Sequence, residues 1–208
     1  MNILITGATG FIGGYLSRLL AQAGHTIHGT YYSKKELSKV NLPKNINLMR
    51  CDIRNKKEVE NTINLVRPDQ IYHLAAQSFA PLSWEKPDLT IKTNVNGTIN
   101  VFESLLKYNL KPRVLVACSS AEYGFIDETK LPINEDHPLR PVHPYGISKV
   151  AQELLAYQYF INLIRFCFSL ISRSGHTLLD STRGVTFRVL RCAETYQWKF
   201  AFRRIFQC

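Results

Sequence analysis

The chain reads as an α/β domain built on a doubly wound parallel sheet. Short apolar runs alternate with amphipathic helical stretches along residues 1–160, and a glycine-rich turn joins the first run to the first helix. At 208 residues, with 45% apolar and 20% charged side chains, the chain is long enough and apolar enough to bury one sizeable core.

Asn2–Thr6 is a short apolar strand, followed by Gly7-Ala-Thr-Gly10-Phe-Ile-Gly13. Ile12, Leu16, Leu19 and Leu20 then recur at helical spacing, and Gly24 stops the helix. Residues His25–Tyr32 form a second strand and Asn47–Arg50 a third, ending at Cys51-Asp52. Asn55 caps the next helix with Glu58 three residues on, and Pro68 ends it. Gln70–Leu74 and Arg113–Ala117 are the fourth and fifth strands. Between them Val95, Ile99, Phe102, Leu105 and Leu106 mark an amphipathic helix over Thr93–Lys107. Pro144–Phe160 is the last clear helix, and Thr186–Leu190 has the composition of a strand. Such βαβ alternation requires right-handed crossovers and a parallel sheet. The stretch Gly124–Pro144 is a long loop, beyond the roughly 12–15 residues at which loops tend to be functional.

Composition excludes several classes. Twenty Gly and Pro residues are too few for a fibrous or linker-dominated chain. Five cysteines without CxxC spacing give neither a disulfide framework nor a zinc site, so the sequence implies no metal and a reducing, cytoplasmic setting. No secretory leader is visible. The apolar stretch Leu154–Ile171 carries Gln158, Asn162 and Arg165, and a mid-span charge costs about 2.5–3.5 kcal/mol on insertion. It therefore reads as a helix running into a strand, not a membrane span. The net charge is +10, but residues 161–208 hold eight basic and two acidic groups, so more than half the excess sits in the last quarter. No basic run in residues 1–160 is interleaved with aromatic side chains, which argues against a nucleic-acid platform.

Gly7, Gly10 and Gly13, placed between the first strand and the first helix, suit a pyrophosphate. The turn must be tight, a Cβ would block the approaching phosphates, and a helix N-terminus presents free N–H groups and a positive dipole end. Phe11 and Ile12 belong to the same loop. The second strand ends in Thr30-Tyr31-Tyr32-Ser33-Lys34-Lys35, with no acidic side chain to bind a ribose 2′-hydroxyl. Lys34 is placed to meet a 2′-phosphate, so the cofactor is expected to be NADP, with NAD the alternative. Asp52 and Ile53, just past the third strand, are expected at the adenine.

Tyr145 and Lys149 lie four apart on one helix face. A free tyrosine, with a pKa of about 10, is a poor base, and a neighbouring cation stabilises its phenolate. A three-unit drop needs about 4 kcal/mol, within reach of charges in a half-buried cleft. Ser120 follows the fifth strand at the carboxyl edge of the sheet, where ligands of this architecture bind.

With these motifs in place, residues 1–160 resemble an extended short-chain dehydrogenase/reductase acting on nucleotide sugars, of the NAD-dependent epimerase/dehydratase type with a Rossmann domain. The resembling segments are GATGFIGGYL, His73-Leu-Ala-Ala-Gln-Ser78, Asn94-Val-Asn-Gly-Thr98, Cys118-Ser-Ser-Ala-Glu-Tyr-Gly124 and His143-Pro-Tyr-Gly-Ile-Ser-Lys149. Ala75-Ala76-Gln77-Ser78 and Ser83-Trp84-Glu85-Lys86-Pro87 look most like the GDP-mannose 4,6-dehydratases and the GDP-4-keto-6-deoxymannose reductases. The resemblance implies that Leu74, Ala75, Ala76 and Asn94 contact the cofactor and that Gln77 and Ser78 face the substrate, a GDP-linked sugar. It further implies Ser120, Tyr145 and Lys149 as the catalytic set, Glu122 as the base that removes the C5 proton while water leaves C6, and a homodimer. The departures are the Tyr123-Gly124 that directly follows Glu122 and the long loop after it, which looks more like the reductase. Reductase, UDP-sugar 4-epimerase and non-catalytic dinucleotide-binding protein are the alternatives.

The readable motifs stop near Asn162. The expected division is a dinucleotide-binding and catalytic domain over 1–162 and a divergent basic tail over 163–208, in place of the nucleotide-sugar region. The compositional break there reads either as a real, shortened C-terminal region or, the favoured expectation, as a foreign segment from a truncated gene or a change of reading frame.

Overall fold

The computed structural model describes residues 1–37, 42–131, 133, 136–162, 168–171, 176–180 and 185–189. Eight strands form one sheet in the order β3-β2-β1-β4-β5-β6-β8-β7. They are β1 Asn2–Thr6, β2 Thr26–Tyr31, β3 Asn47–Arg50, β4 Gln70–His73, β5 Arg113–Ala117, β6 Phe168–Ile171, β7 His176–Asp180 and β8 Val185–Val189. All neighbours pair in parallel except β7 with β8. The strand order reverses between β1 and β4, and that switch point is where doubly wound sheets bind ligands. The expected parallel α/β fold is therefore present, and the strand expected over Thr186–Leu190 is β8. Within 163–208 the structure describes only the backbone of β6, β7 and β8. The cysteines and most of the basic groups of that stretch lie outside the described residues.

The helices are α1 Phe11–Gln22, α2 Lys34–Leu37, α3 Lys56–Val66, α4 Ala80–Glu85, α5 Pro87–Ile91, α6 Gly97–Lys107 and α7 Pro144–Asn162. Alternation along the central strands sends successive side chains to opposite faces. Leu4, Ile71, Val114 and Val116 pack against Val59 and Ile63 of α3, Val101, Phe102 and Leu105 of α6, and Ala156 and Tyr159 of α7. Ile3, Ile5, Tyr72 and Leu115 pack against Leu16 and Leu20 of α1. Phe102 stacks on Tyr159 at 4.9 Å between ring centroids, tying α6 to α7. Truncating a buried phenylalanine of this kind to alanine costs about 3–5 kcal/mol.

Asn55 caps α3 as expected, accepting from the N–H groups of Lys57 and Glu58. Glu58 departs from the reciprocal pattern: one of its oxygens accepts the Asp52 N–H at 2.8 Å and so pins the turn after β3. The helix expected to begin at Thr93 in fact begins at Pro87 and passes through one π turn over Lys92–Asn96 before continuing as α6. Among the described residues no helix is long and apolar enough to cross a membrane.

Candidate active site

A groove of about 690 Å³ crosses the carboxyl edge of the sheet, from the ends of β2 and β3 to the end of β5 and the start of α7. Its middle is the glycine turn. Gly7 has φ +71, and a Cβ there would lie 2.9 Å from Ala75 Cα; a Cβ on Gly13 would lie 2.4 Å from the Gly7 carbonyl oxygen. No side chain caps α1 at Gly10. Its first N–H groups are thus left to a ligand, and the dipole end favours an anion. The cradle admits backbone and phosphate where any side chain would collide, so the residues present fit a dinucleotide. Gly7, Gly10, Phe11, Ile12 and Gly13 all line it, as do Leu74, Ala75, Ala76, Gln77 and Ser78 on the β4 side.

At the β2–β3 end the groove is lined by Thr30, Tyr32, Asp52, Ile53 and Arg54. Arg54 grips Asp52 through Nε at 2.9 Å and Nη2 at 2.7 Å. These hydrogen bonds hold the Asp52 carboxyl below its ordinary range. Lys34 is exposed and does not line the groove.

Beneath the groove lies a buried polar network. The Thr98 hydroxyl donates to the Asn94 carbonyl at 2.6 Å, so it must accept from both His73 Nε2 at 3.0 Å and Gln152 Nε2 at 2.7 Å. His73 therefore carries its proton on Nε2, and Nδ1 accepts from the Thr6 hydroxyl at 2.8 Å. That hydroxyl in turn accepts the N–H groups of Leu74 and Ala75, both at 3.1 Å. Burial, with the Lys149 charge adding to it, pushes the His73 pKa down to about 3, so the ring stays neutral. Asn94 is fully buried and outside the groove. It accepts the Gln77 N–H at 2.7 Å and donates to the Gln77 carbonyl at 3.1 Å and to Ser148 Oγ at 2.8 Å. It ties the β4 loop to α7. A cofactor contact is the role expected from the sequence; in the structure its polar atoms are already engaged elsewhere.

At the far end stand Tyr145 and Lys149, one turn apart on α7, with Lys149 Nζ 5.8 Å from the Tyr145 ring centroid. Lys149 donates to the Ala117 carbonyl at 2.9 Å, and burial pushes its pKa down. Burial raises the Tyr145 pKa, while the Ser119 side chain, through a hydrogen bond, pulls it down. The lysine-driven lowering expected from the sequence is not present in the free protein. Ser119, not Ser120, is the serine brought to the phenol, and neither lines the groove.

Glu122 is fully buried and absent from the groove wall. One oxygen accepts the Ser119 N–H at 2.8 Å, closing a capping box. Burial first, then the hydrogen bond to Glu153, push its pKa up to about 9. The structure thus gives Glu122 the opposite of a ready base at the sugar: a protonated carboxyl folded back under the Ser119 turn. Cys118, Glu122 and Glu153 have ligand atoms within 4.8 Å of one another. Burial pushes the Cys118 thiol well up. A protonated thiol and a protonated carboxyl are poor cation donors.

Sequence reasoning missed Tyr32, Arg54, Thr93 and Ala117 in the groove wall. Arg54 was legible as the only basic side chain beside Asp52-Ile53; Thr93 was hidden by the π turn.

The family model described as GDP-mannose 4,6 dehydratase matches residues 4–194. The chain belongs to that family. The match continues past Asn162, where the motifs readable by eye stop. Among relatives, the chain is 32% identical over 154 residues to a GDP-mannose 4,6-dehydratase of Sordaria araneosa, covering 73% of this chain and 28% of that protein. It is 32% identical to a putative UDP-glucose 4-epimerase of Methanocaldococcus jannaschii, covering 73% and 48%. Of solved structures, the UDP-glucose 4-epimerase of Thermus thermophilus in complex with NAD superposes with a TM-score of 0.74 at 28% identity, covering 82% of this chain and 54% of that one. RMD from Pseudomonas aeruginosa complexed with NADPH superposes with a TM-score of 0.65 at 27% identity, covering 82% and 53%. The chain spans about half or less of the length of the curated relatives it matches.

Proposed function

We propose that the chain binds a nicotinamide dinucleotide and acts on C4 of a nucleotide sugar, in the manner of a GDP-mannose 4,6-dehydratase. The observation that carries this reading is a single groove with a glycine phosphate cradle at its centre and a Tyr/Lys pair at one end. A bound nicotinamide supplies hydride acceptance and return; the rest falls to the chain. Tyr145 takes the proton of the sugar 4-hydroxyl. Ser119 holds the phenol and stabilises its charge. Lys149 keeps two N–H donors beyond its bond to Ala117 for a ribose, and its charge favours phenolate once a ligand displaces water. Gln77 and Ser78 face the sugar from the β4 loop. The net change shifts hydride from C4 to C6, expels the C6 hydroxyl with one proton as water, and leaves a ketone at C4.

The division at residue 162 belongs to this proposal: 1–162 supply the cradle and the Tyr/Lys pair, and 163–208 stand where the nucleotide-sugar region is expected. GDP is the proposed nucleotide. A homodimer is supported by an exposed apolar row on α7, formed by Ile147, Leu154, Tyr157 and Ile161. A cytoplasmic setting is supported by the free thiols of Cys51 and Cys118.

A UDP-sugar 4-epimerase is the second reading. It is favoured because, among the described residues, the one carboxylate lining the groove is Asp52, at the opposite end from Tyr145. An epimerase needs no second base. Incubation with NADP⁺ and GDP-mannose, with UDP-glucose in parallel, separates the two. A 4-keto-6-deoxy product from GDP-mannose supports the dehydratase, UDP-galactose supports the epimerase, and binding without turnover leaves a dinucleotide-binding protein.

A further inference from the structure

The Tyr/Lys pair depends on a turn whose anchor the catalytic reading does not use. α7 begins at Pro144, so Tyr145 is its second residue. The first N–H groups of a helix have no partner within it, and such ends fray. Pro144 brings no N–H, which suits the first helical position. The residue before it is His143. Its carbonyl accepts the Ile147 N–H at 3.1 Å, and its ring Nδ1 accepts the Gly146 N–H at 2.9 Å. Those are the two bonds of an N-cap, made here by an imidazole in place of the usual Ser, Thr, Asp or Asn. Nδ1 of histidine stands as many bonds from Cα as Oδ1 of asparagine, so the ring can fill the position. An accepting Nδ1 carries no proton, so the ring is neutral with its proton on Nε2.

The capped turn is pressed onto the turn that carries Ser119. A Cβ on Gly146 would lie 2.6 Å from the Ala121 carbonyl oxygen and 3.0 Å from Pro141 Cβ. Ser119 caps Ser120–Glu122 and reaches the Tyr145 phenol with the same hydroxyl. From the interior, Ser148 Oγ donates to the Tyr145 carbonyl at 2.7 Å and accepts from Asn94 Nδ2 at 2.8 Å. The Tyr145 backbone is thus held from inside by Ser148 and from the N-terminal side by the His143 cap. The imidazole also lies 5.9 Å from the Tyr145 ring between centroids, tilted by 31°. His143 does not line the groove. A slip of the first turn would carry the phenol off Ser119, whose own place is set by a different cap.

We propose that His143 is a positioning residue of the reaction: by capping α7 through Nδ1 it fixes the Tyr145 phenol against Ser119 for proton transfer. This rests on the reading of Tyr145 as the base. A misplacement of about 1 Å can cost about 100-fold in rate, so loss of the cap is expected in kcat and not in binding.

The test compares the full chain with His143→Ala and His143→Asn. Tyrosine labelled with ¹³C at Cζ reports the phenol at neutral pH. Tyr145→Phe identifies its signal, and Ser119→Ala shows where that signal falls once the Ser119 hydrogen bond is gone. His143→Ala is expected to move the Tyr145 signal toward the Ser119→Ala position, and His143→Asn to leave it near the wild-type position. With NADP⁺ and GDP-mannose or UDP-glucose, His143→Ala is expected to lower kcat about 10–100-fold with KM and dinucleotide affinity close to wild type. His143→Asn, which keeps an acceptor but not the ring, should restore most of that loss. His143→Gly, tolerated at an N-cap but without an acceptor, serves if the Ala variant does not fold. ¹⁵N spectra of the wild-type imidazole should find the proton on Nε2. A proton on Nδ1, a Tyr145 signal unmoved in His143→Ala, or a His143→Asn chain no better than His143→Ala each overturns the assignment while leaving Tyr145 as the base. Turnover of neither sugar by the wild type overturns the base reading and the positioning role with it, even where the signals show the phenol held.

Discussion

Replacing Glu122 by Gln separates two roles for this residue by their pH dependence. In the folded chain the carboxyl titrates near 9, against an ordinary value of 4.5, because it is buried and hydrogen-bonded to Glu153. A carboxyl raised in this way binds its proton more tightly folded than unfolded. Its contribution to stability is complete below about pH 4.5 and is lost as pH rises through about 9. Each pH unit in that window costs at most about 1.4 kcal/mol for one proton, so wild type should lose up to about 4 kcal/mol between pH 5 and pH 8. Gln mimics the protonated acid in shape and cannot titrate. Urea unfolding of both proteins across this range should therefore show a falling line for wild type and a flatter one for Glu122→Gln. Because Glu122 lies under the Ser119 turn and off the groove, dinucleotide binding and turnover should stay close to wild type. Parallel pH lines would refute the buried-proton account. A loss of turnover beyond about 100-fold with binding intact would restore Glu122 as an elimination base.

Tyr145→Phe should abolish any turnover while sparing dinucleotide binding, checked by assay and calorimetry side by side; unchanged turnover would remove Tyr145 as the base. Gly13→Ala places a Cβ 2.4 Å from the Gly7 oxygen and should cost about 1–3 kcal/mol in stability or an equivalent loss of dinucleotide affinity, read by thermal melts and titration. Asn94→Ala leaves the partly buried Gln77 N–H and carbonyl without their side-chain partner, and should destabilise the chain by about 1–3 kcal/mol, measured by urea unfolding. An Asn94→Ala chain as stable as wild type would show that the β4 loop does not need this tie.

The parts of the fold legible in the sequence are those set by local rules. The glycine turn, the Asn55 cap and the spacing of Tyr145 and Lys149 each follow from geometry within a few residues, and each stands where expected. What misled was orientation. Ser119 and Ser120 are adjacent and chemically identical; only the 3₁₀ turn Ser120–Glu122, capped by Ser119 itself, decides which faces the phenol. The same cap draws Glu122 inward, so a carboxylate two residues past Ser120 in sequence lies off the groove wall. Asn94 is buried within the π turn over Lys92–Asn96, and periodicity alone does not report such a turn. At the cofactor's far end, counting lysines pointed to Lys34. Arg54, which lines the groove, was within reach of local rules, since it closes on Asp52 two residues before it.

The hydroxyl of Thr98 is shared among a histidine on β4, a glutamine on α7 and a carbonyl of the π turn. One oxygen atom thereby acts as the common hinge pin of the phosphate side and the chemical side. A valine there would be the right shape and still leave two interior donors and one acceptor without a counterpart. Drift in the sequence can accordingly retune either mouth of the cleft, yet the span between them is fixed by a joint that tolerates no half-measures.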